Sequence, residues 1–237
     1  MLKTILFDVG GTLIDNESWK STVDRAAYKA MTNFGFNIGA KEFAEAFGRA
    51  VNDYDQVNNK SQKMHGGMDF VMRRLEKYLG ISLSEEQEKL FKDKMERHRL
   101  DNIKLLDSAD AILSDMANKY DMYVVSRGEG RIVRAMLKRL GIGSYFKDIF
   151  ITGEMQADKE SGRMFRLVIE KTHIEPKETV MIGNELEADG ACMQFGIPFC
   201  FIDRLGVNPD KGYTFKIGNL DSINSILNFL NENIGEQ

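Results

Sequence analysis

The chain is poor in cysteine, proline and histidine. Of its 237 residues two are Cys, three are Pro and three are His. Cys192 and Cys200 cannot build a disulfide framework, and His65, His98 and His173 are too scattered to make a zinc-ligand cluster with them. An excess of positive charge is missing too. Thirty-two Lys and Arg against 36 Asp and Glu give a net charge of −4, which excludes a basic nucleic-acid footprint and an electrostatic pull toward an anionic membrane. No apolar run approaches the roughly 18 residues of a membrane span. The longest near the start, Ile5 to Val9, is interrupted by Asp8 and does not read as a signal-peptide core. Internal repeats and low-complexity segments are also absent. What remains, 43% apolar and 29% charged residues, is the composition of a globular chain long enough for one large domain or two modest ones. The expected setting is a reducing cytoplasm, with neither nucleic acid nor membrane as partner.

The pattern along the chain changes twice. Thr4-Ile5-Leu6-Phe7 reads as a buried parallel strand that delivers Asp8 to a loop opened by Gly10-Gly11. From Asn16 the apolar residues recur at three- and four-residue steps. Trp19, Val23, Ala26, Ala27, Ala30, Met31 and Phe34 predict one helix closed at Gly35, and Phe43 to Tyr54 predict a second. Met64, Met68, Val71, Met72, Leu75 and Leu79 predict a third, and Ser84 with Gln87 three residues on caps a fourth. Residues 16–100 therefore read as an all-helical insert, its methionines as adaptable core. From Leu105 strands and helices alternate. Strands are expected at Met122–Val125, Ile149–Ile151, Thr179–Ile182, Phe199–Ile202 and, more weakly, Tyr213–Ile217, with helices between them and a last helix from Asp221. This implies an α/β core, residues 1–15 and 101–237, built on a parallel sheet with helices on both faces.

Open α/β sheets bind ligands beyond the carboxyl ends of their strands. There the first strand delivers Asp8, Gly10, Gly11 and Thr12, and the second ends at Ser126. Lys159 lies beyond the third, and the fourth ends at Gly183-Asn184 with Asp189 five residues on. A carboxylate nucleophile, an ammonium, hydroxyls and backbone amides from a glycine loop are the parts of a phosphoryl-transfer site. Asp8, a loop carbonyl, Asn184 and Asp189 are oxygen donors of the kind magnesium takes.

In this order the motifs resemble those of the haloacid dehalogenase (HAD) superfamily: Asp8-Val-Gly-Gly-Thr12, strand-end Ser126, Lys159 within Ala157-Asp-Lys-Glu160, and Gly183-Asn184 with Asp189. The resemblance implies a Rossmann-like core and a helical cap formed by residues 16–100. It implies Asp8 as nucleophile and Lys159 as the cation that neutralises charge around it. Gly10, Gly11, Thr12, Ser126 and its neighbour Arg127 would bind the transferring group. Magnesium would be held by Asp8, the Gly10 carbonyl, Asn184 and Asp189, with no organic cofactor. The substrate would be a small phosphorylated metabolite.

Three positions depart from the family's pattern. Gly10 stands where phosphatases of the family carry a second aspartate, whose general acid–base help is worth about 10²–10⁴-fold. Asn184 replaces an aspartate, and Glu160 replaces a proline. The first two changes also resemble the dehalogenase branch, whose halide leaving group needs neither a proton nor magnesium. The four-residue gap between Asn184 and Asp189 is instead of the phosphatase type. A metal-independent 2-haloacid hydrolase and a catalytically silent binding protein thus stand beside the phosphatase reading. Asp15 and Glu185 are the acids near enough in sequence to substitute for the missing one. Plainer roles compete: Ser126 and Asn184 as helix N-caps, Lys159 as a residue opening a helix, Asp189 on a polar helix face, and Trp19 packing the first helix.

Overall fold

The computed structural model describes residues 1–61, 67–206 and 212–233; Met64, His65 and Pro209 lie outside them. The strands are β1 (Thr4–Phe7), β2 (Ile14–Asp15), β3 (Lys104–Leu105), β4 (Asp121–Ser126), β5 (Asp148–Ile151), β6 (Thr179–Gly183), β7 (Phe199–Ile202) and β8 (Phe215–Ile217). Every residue of β1, β6 and β7 is buried, as continuous apolar runs require when both faces of a sheet are covered. Six strands form one parallel sheet in the order β5-β4-β1-β6-β7-β8. Counted along the chain among themselves, this is the 3-2-1-4-5-6 order of a doubly wound fold, and the order reverses at β1. Asp8, Ser126 and Asn184 all lie at the carboxyl ends of the three strands flanking that reversal.

The chain divides into two compact units, Met1–Asn16 with Lys104–Gln237, and Glu17–Ile103. The second is helical: α1 (Glu17–Lys20), α2 (Val23–Asn33), α3 (Ala40–Ser61), α4 (Gly67–Leu79) and α5 (Glu85–Asn102). Its core gathers Ala27, Met31, Phe43, Phe47, Met72, Leu75, Phe91 and Met95 from four of these helices. Ser84 caps α5 reciprocally: its hydroxyl accepts from the Gln87 amide at 3.2 Å, and its own amide donates to Gln87 Oε1 at 2.9 Å. The first unit carries α6 (Ala109–Ala117), α7 (Gly130–Arg139), α8 (Thr152–Met155), α9 (Arg163–Thr172) and α10 (Ile223–Asn233). Leu6, Val125, Phe165, Met181, Phe199 and Phe201 meet in its core. Among the described residues no helix is long and apolar enough to cross a membrane.

Four details differ from the sequence reading. The first helix is interrupted at Ser21-Thr22, where the Thr22 hydroxyl bonds to His98 Nε2 at 3.1 Å, an alternative to the helix ladder that threonine readily takes. β2 and β3 form a two-residue antiparallel pair, too short to leave a periodicity. Lys159 does not open a helix; α9 starts at Arg163, and Lys159 lies in the loop before it. The segment after β6 is a turn followed by a 3₁₀ turn at Gly190–Phe195, with Asp189 at its cap position rather than inside a helix. The reason is local, since Asp189 Oδ2 accepts the Glu185 amide at 3.0 Å and so draws the chain into a turn.

Candidate active site

The loop after β1 is wound on one carbonyl. Val9 O accepts from the amides of Thr12 (3.4 Å), Leu13 (2.9 Å) and Ile14 (3.0 Å), and the Gly11 amide donates to Ile14 O at 2.9 Å. Gly11 takes φ +83°, a left-handed conformation that favours glycine. A Cβ there would also lie 2.5 Å from Asn184 Nδ2, so the Asn184 carboxamide packs directly on the loop. Thr12, wholly buried, donates its hydroxyl to Asn184 Oδ1 at 3.1 Å and reaches Asp8 Oδ2 at 3.4 Å. The first and fourth motifs are thereby joined through one hydroxyl. Arg204, just beyond β7, donates to the carbonyls of Gly11 and Thr12 at 3.4 Å each and pairs with Asp107. Nothing in the sequence pattern marked Arg204, since its partners lie more than 90 residues away.

Beneath the loop sits a charged triad. Lys159 Nζ lies 2.8 Å from Asp8 Oδ1 and 2.6 Å from Asp189 Oδ1. Lys159 and Asp189 are 0% exposed and Asp8 is 6% exposed. Burial by itself would lower the Lys159 pKa, but the two carboxylates outweigh it and hold it above its ordinary range. Burial pushes the Asp189 carboxyl upward, against the pull of Lys159. An ion this deep is tolerated only because it is paired and hydrogen-bonded. Gly183 is part of the arrangement, because a Cβ there would stand 2.1 Å from Asp189 Oδ2.

The expected site residues are thus placed as follows. Asp8, Thr12, Lys159, Asn184 and Asp189 are brought together directly. Asp189, expected among the magnesium ligands, has Oδ1 on Lys159 and Oδ2 on the Glu185 amide. Both of its oxygens are thus engaged within the protein. Ser126 is buried at the end of β4 with its hydroxyl donating to the Arg127 carbonyl at 3.2 Å, and the N-cap of α7 is Glu129, not Ser126. Arg127 pairs with Glu160 at 3.1 Å and with Glu185. Burial works against the Arg127 charge, but Glu185 and Glu160 more than compensate and keep it firmly cationic. Glu185 is therefore engaged by Arg127, and Asp15 lies in β2. Neither fills the space beside Gly10. The residue that does is Asn16, whose Nδ2 would lie 2.9 Å from a Cβ at position 10.

For magnesium, the candidate oxygens are Asp8 Oδ2 and Asn184 Oδ1, which share the Thr12 hydroxyl, and the Gly10 carbonyl. All are hard donors and one is anionic, which suits an ion that keeps several waters and is completed by substrate phosphate oxygens. Among the described residues there is no cluster of three or more His, Cys, Asp or Glu able to cage a metal without substrate. The donor set fits a shared magnesium ion.

Comparison with known proteins gives the family. The sequence profile of the haloacid dehalogenase-like hydrolases matches residues 2–191. The HAD-hydrolase YfnB of Bacillus subtilis is 25% identical over 233 residues, 97% of each chain. Its magnesium-bound crystal structure superposes with a TM-score of 0.71 at 21% identity, covering 96% of this chain and 99% of that one. A glyceraldehyde 3-phosphate phosphatase of Methanothermobacter thermautotrophicus is 25% identical over 194 residues, 80% of each chain. The 2-haloacid dehalogenase of Pseudomonas syringae shares the fold, with a TM-score of 0.69 at 17% identity over 97% of this chain and 99% of that one. With a doubly wound sheet, a strand-end aspartate held by a buried lysine, and a family profile spanning most of its length, the chain belongs to the haloacid dehalogenase-like hydrolases.

Proposed function

We propose that the protein is a magnesium-dependent phosphohydrolase of a small phosphorylated metabolite, with Asp8 as the nucleophile. The observation that carries this reading is the Asp8 carboxylate, fixed at one oxygen by the buried Lys159 ammonium and turned at the other toward the Thr12 hydroxyl and Asn184. Held this way, Asp8 meets phosphorus in one orientation, which lowers the entropic part of the barrier. The Gly11 and Thr12 amides are spent on Ile14 and Val9 within the loop, so it is the hydroxyls of Thr12 and Ser126 that bind the phosphoryl oxygens as charge develops on them. Arg127 adds a cation from the end of β4. Lys159 fixes one oxygen of the nucleophile and offers a positive charge to the transition state. Asp8, the Gly10 carbonyl and Asn184 would hold magnesium, which when bound neutralises charge on the phosphoryl oxygens. We take the helical unit as the cap that selects substrate and excludes water. The phosphatase named among the relatives, alike over four-fifths of this chain, supports phosphorus as the target.

A second reading is favoured by Gly10 and Asn184, which suit a leaving group that needs no proton and a reaction that needs no metal. In it Asp8 attacks carbon and releases halide. The test is hydrolysis of p-nitrophenyl phosphate with and without magnesium, by the wild type and by Asp8→Asn. Magnesium-dependent release that disappears in Asp8→Asn is the expected outcome. Halide release from a 2-haloacid without metal, with no nitrophenolate, would replace the first reading by the second.

A further inference from the structure

The place that family phosphatases give to a second aspartate is not empty in this protein. A side chain at Gly10 would run into the Asn16 carboxamide, whose Nδ2, Oδ1 and Cγ lie 2.9, 3.5 and 3.6 Å from the ideal Cβ position. The carboxamide comes from just past β2, six residues along the chain, and the hydrogen bonds on Val9 O fold it back over the loop. It has the size and shape of the absent carboxyl group but different chemistry. An amide donates a hydrogen bond and cannot release the proton.

We propose that Asn16 is the leaving-group contact and that it sets the substrate class. Its amide steadies the departing oxygen without protonating it, so the enzyme acts on phosphoryl donors whose leaving group is stable as an anion. Acyl phosphates, phosphoanhydrides and electron-poor aryl phosphates share that chemistry, whereas phenyl and simple alkyl phosphates do not. The inference rests on the phosphohydrolase reading. In the first step a bond forms between an Asp8 oxygen and phosphorus while the bond from phosphorus to the leaving oxygen breaks. The electron pair departs with that oxygen and no proton is needed. In the second step water attacks phosphorus and the bond to Asp8 breaks, returning the pair to the carboxylate. Of the water's two protons, one stays on the phosphate product and the other passes to solvent. With no carboxylate at position 10 to accept it, this second step is the slow one and the phospho-aspartate accumulates.

The experiment compares phenyl phosphate with p-nitrophenyl phosphate, using the wild type, Asn16→Asp and the double variant Gly10→Asp/Asn16→Ala. The wild type should strongly prefer the nitrophenyl ester and show a burst of nitrophenolate equal to the enzyme present. Either variant restores a carboxylic acid to the vacated space. Each should raise the phenyl-to-nitrophenyl ratio of kcat/KM, which reads the first step, on the order of 10²-fold, the scale of general acid catalysis, and add a limb to the pH profile. The ratio is independent of how much enzyme is folded, and the second variant covers a failure of the first. If the wild type turns over but the ratio stays put in both variants, the role of Asn16 is overturned and the phosphohydrolase reading stands. If the wild type shows no Asp8-dependent nitrophenolate release, both are overturned.

Discussion

Two lysine–aspartate pairs in this protein have the same length and opposite meanings. In the helical unit Lys92 Nζ lies 2.8 Å from Asp69 Oδ1, with side chains 41% and 47% exposed. In the α/β unit Lys159 Nζ lies 2.8 Å from Asp8 Oδ1, with side chains 0% and 9% exposed. Water screens the first pair, and both partners can leave it and be solvated. The second has no such alternative, and Lys159 answers to Asp189 as well. Distance alone therefore says little about an ion pair. The helical unit is held by Phe43, Leu75, Phe91 and their neighbours, with charge spread over its surface. The α/β unit places a buried triad of charge at the carboxyl ends of the central strands, where the proposed chemistry would take place, at a standing cost in desolvation.

The strongest way to break this contrast is Lys159→Met, which leaves two buried carboxylates facing each other. We expect it to destabilise the protein by about 3–5 kcal/mol, as for removing one partner of a buried pair, and to abolish turnover. Denaturant unfolding against pH adds a signed test. Because the Lys159 pKa is raised in the folded protein, its stabilisation is fully present below the ordinary value of 10.5 and is lost as pH climbs past it. Wild-type stability should fall on that alkaline limb, and Lys159→Met should lack this component. The variant should also gain more stability than the wild type on acidification from neutral pH, because the Asp189 carboxyl, already pushed upward by burial, loses the ammonium that pulls it down. A variant indifferent to pH on both sides would show that the triad is solvated in solution.

A core substitution in the helical unit makes the opposite case. Leu75 in α4 is 0% exposed, and Leu75→Ala should cost about 2–4 kcal/mol through lost transfer energy and the cavity left behind. No titratable group is involved. The loss should be flat across the pH range in which Lys159→Met is not. A steep pH dependence of that loss would mean that the substitution disturbs a titrating group beyond the cavity it leaves.

Much of this division was legible in the residues. The strands β1 and β7 lie where their apolar runs end, because buried parallel strands need unbroken hydrophobicity. The strand-end positions of Asp8, Ser126 and Asn184 follow from that. The capping box at Ser84 and Gln87 is a local motif and was readable as such. What could not be read were contacts chosen by tertiary structure. Asn16 filling the space at Gly10 depends on how six residues fold back on Val9. Asp189 serves Lys159 because a buried ammonium needs a second counter-charge, and helical spacing suggested a helix face instead. Arg204 reaches the loop from a distant strand, and Thr22 breaks its helix by bonding to His98 in α5. None of these leaves a period of two or 3.6 residues, so pattern reasoning had nothing to act on.

The smallest expected effect tests the other arm of the contrast. A double-mutant cycle of Lys92→Met and Asp69→Ala should give a coupling of about 0.2–1 kcal/mol, as for other solvent-exposed pairs. Raising the ionic strength to about 1 M, where the screening length falls to about 3 Å, should bring it near zero. Side-chain entropy is the reason: fixing the long Lys92 chain against a half-exposed carboxylate offsets most of the attraction that water leaves them. The Lys159 effect should barely change in the same salt, since mobile ions do not enter a site whose lysine has no accessible surface. If the Lys92–Asp69 coupling instead matched the loss at Lys159 and survived salt, burial would not be what separates the two pairs. The explanation would then have to come from how rigidly each lysine is held.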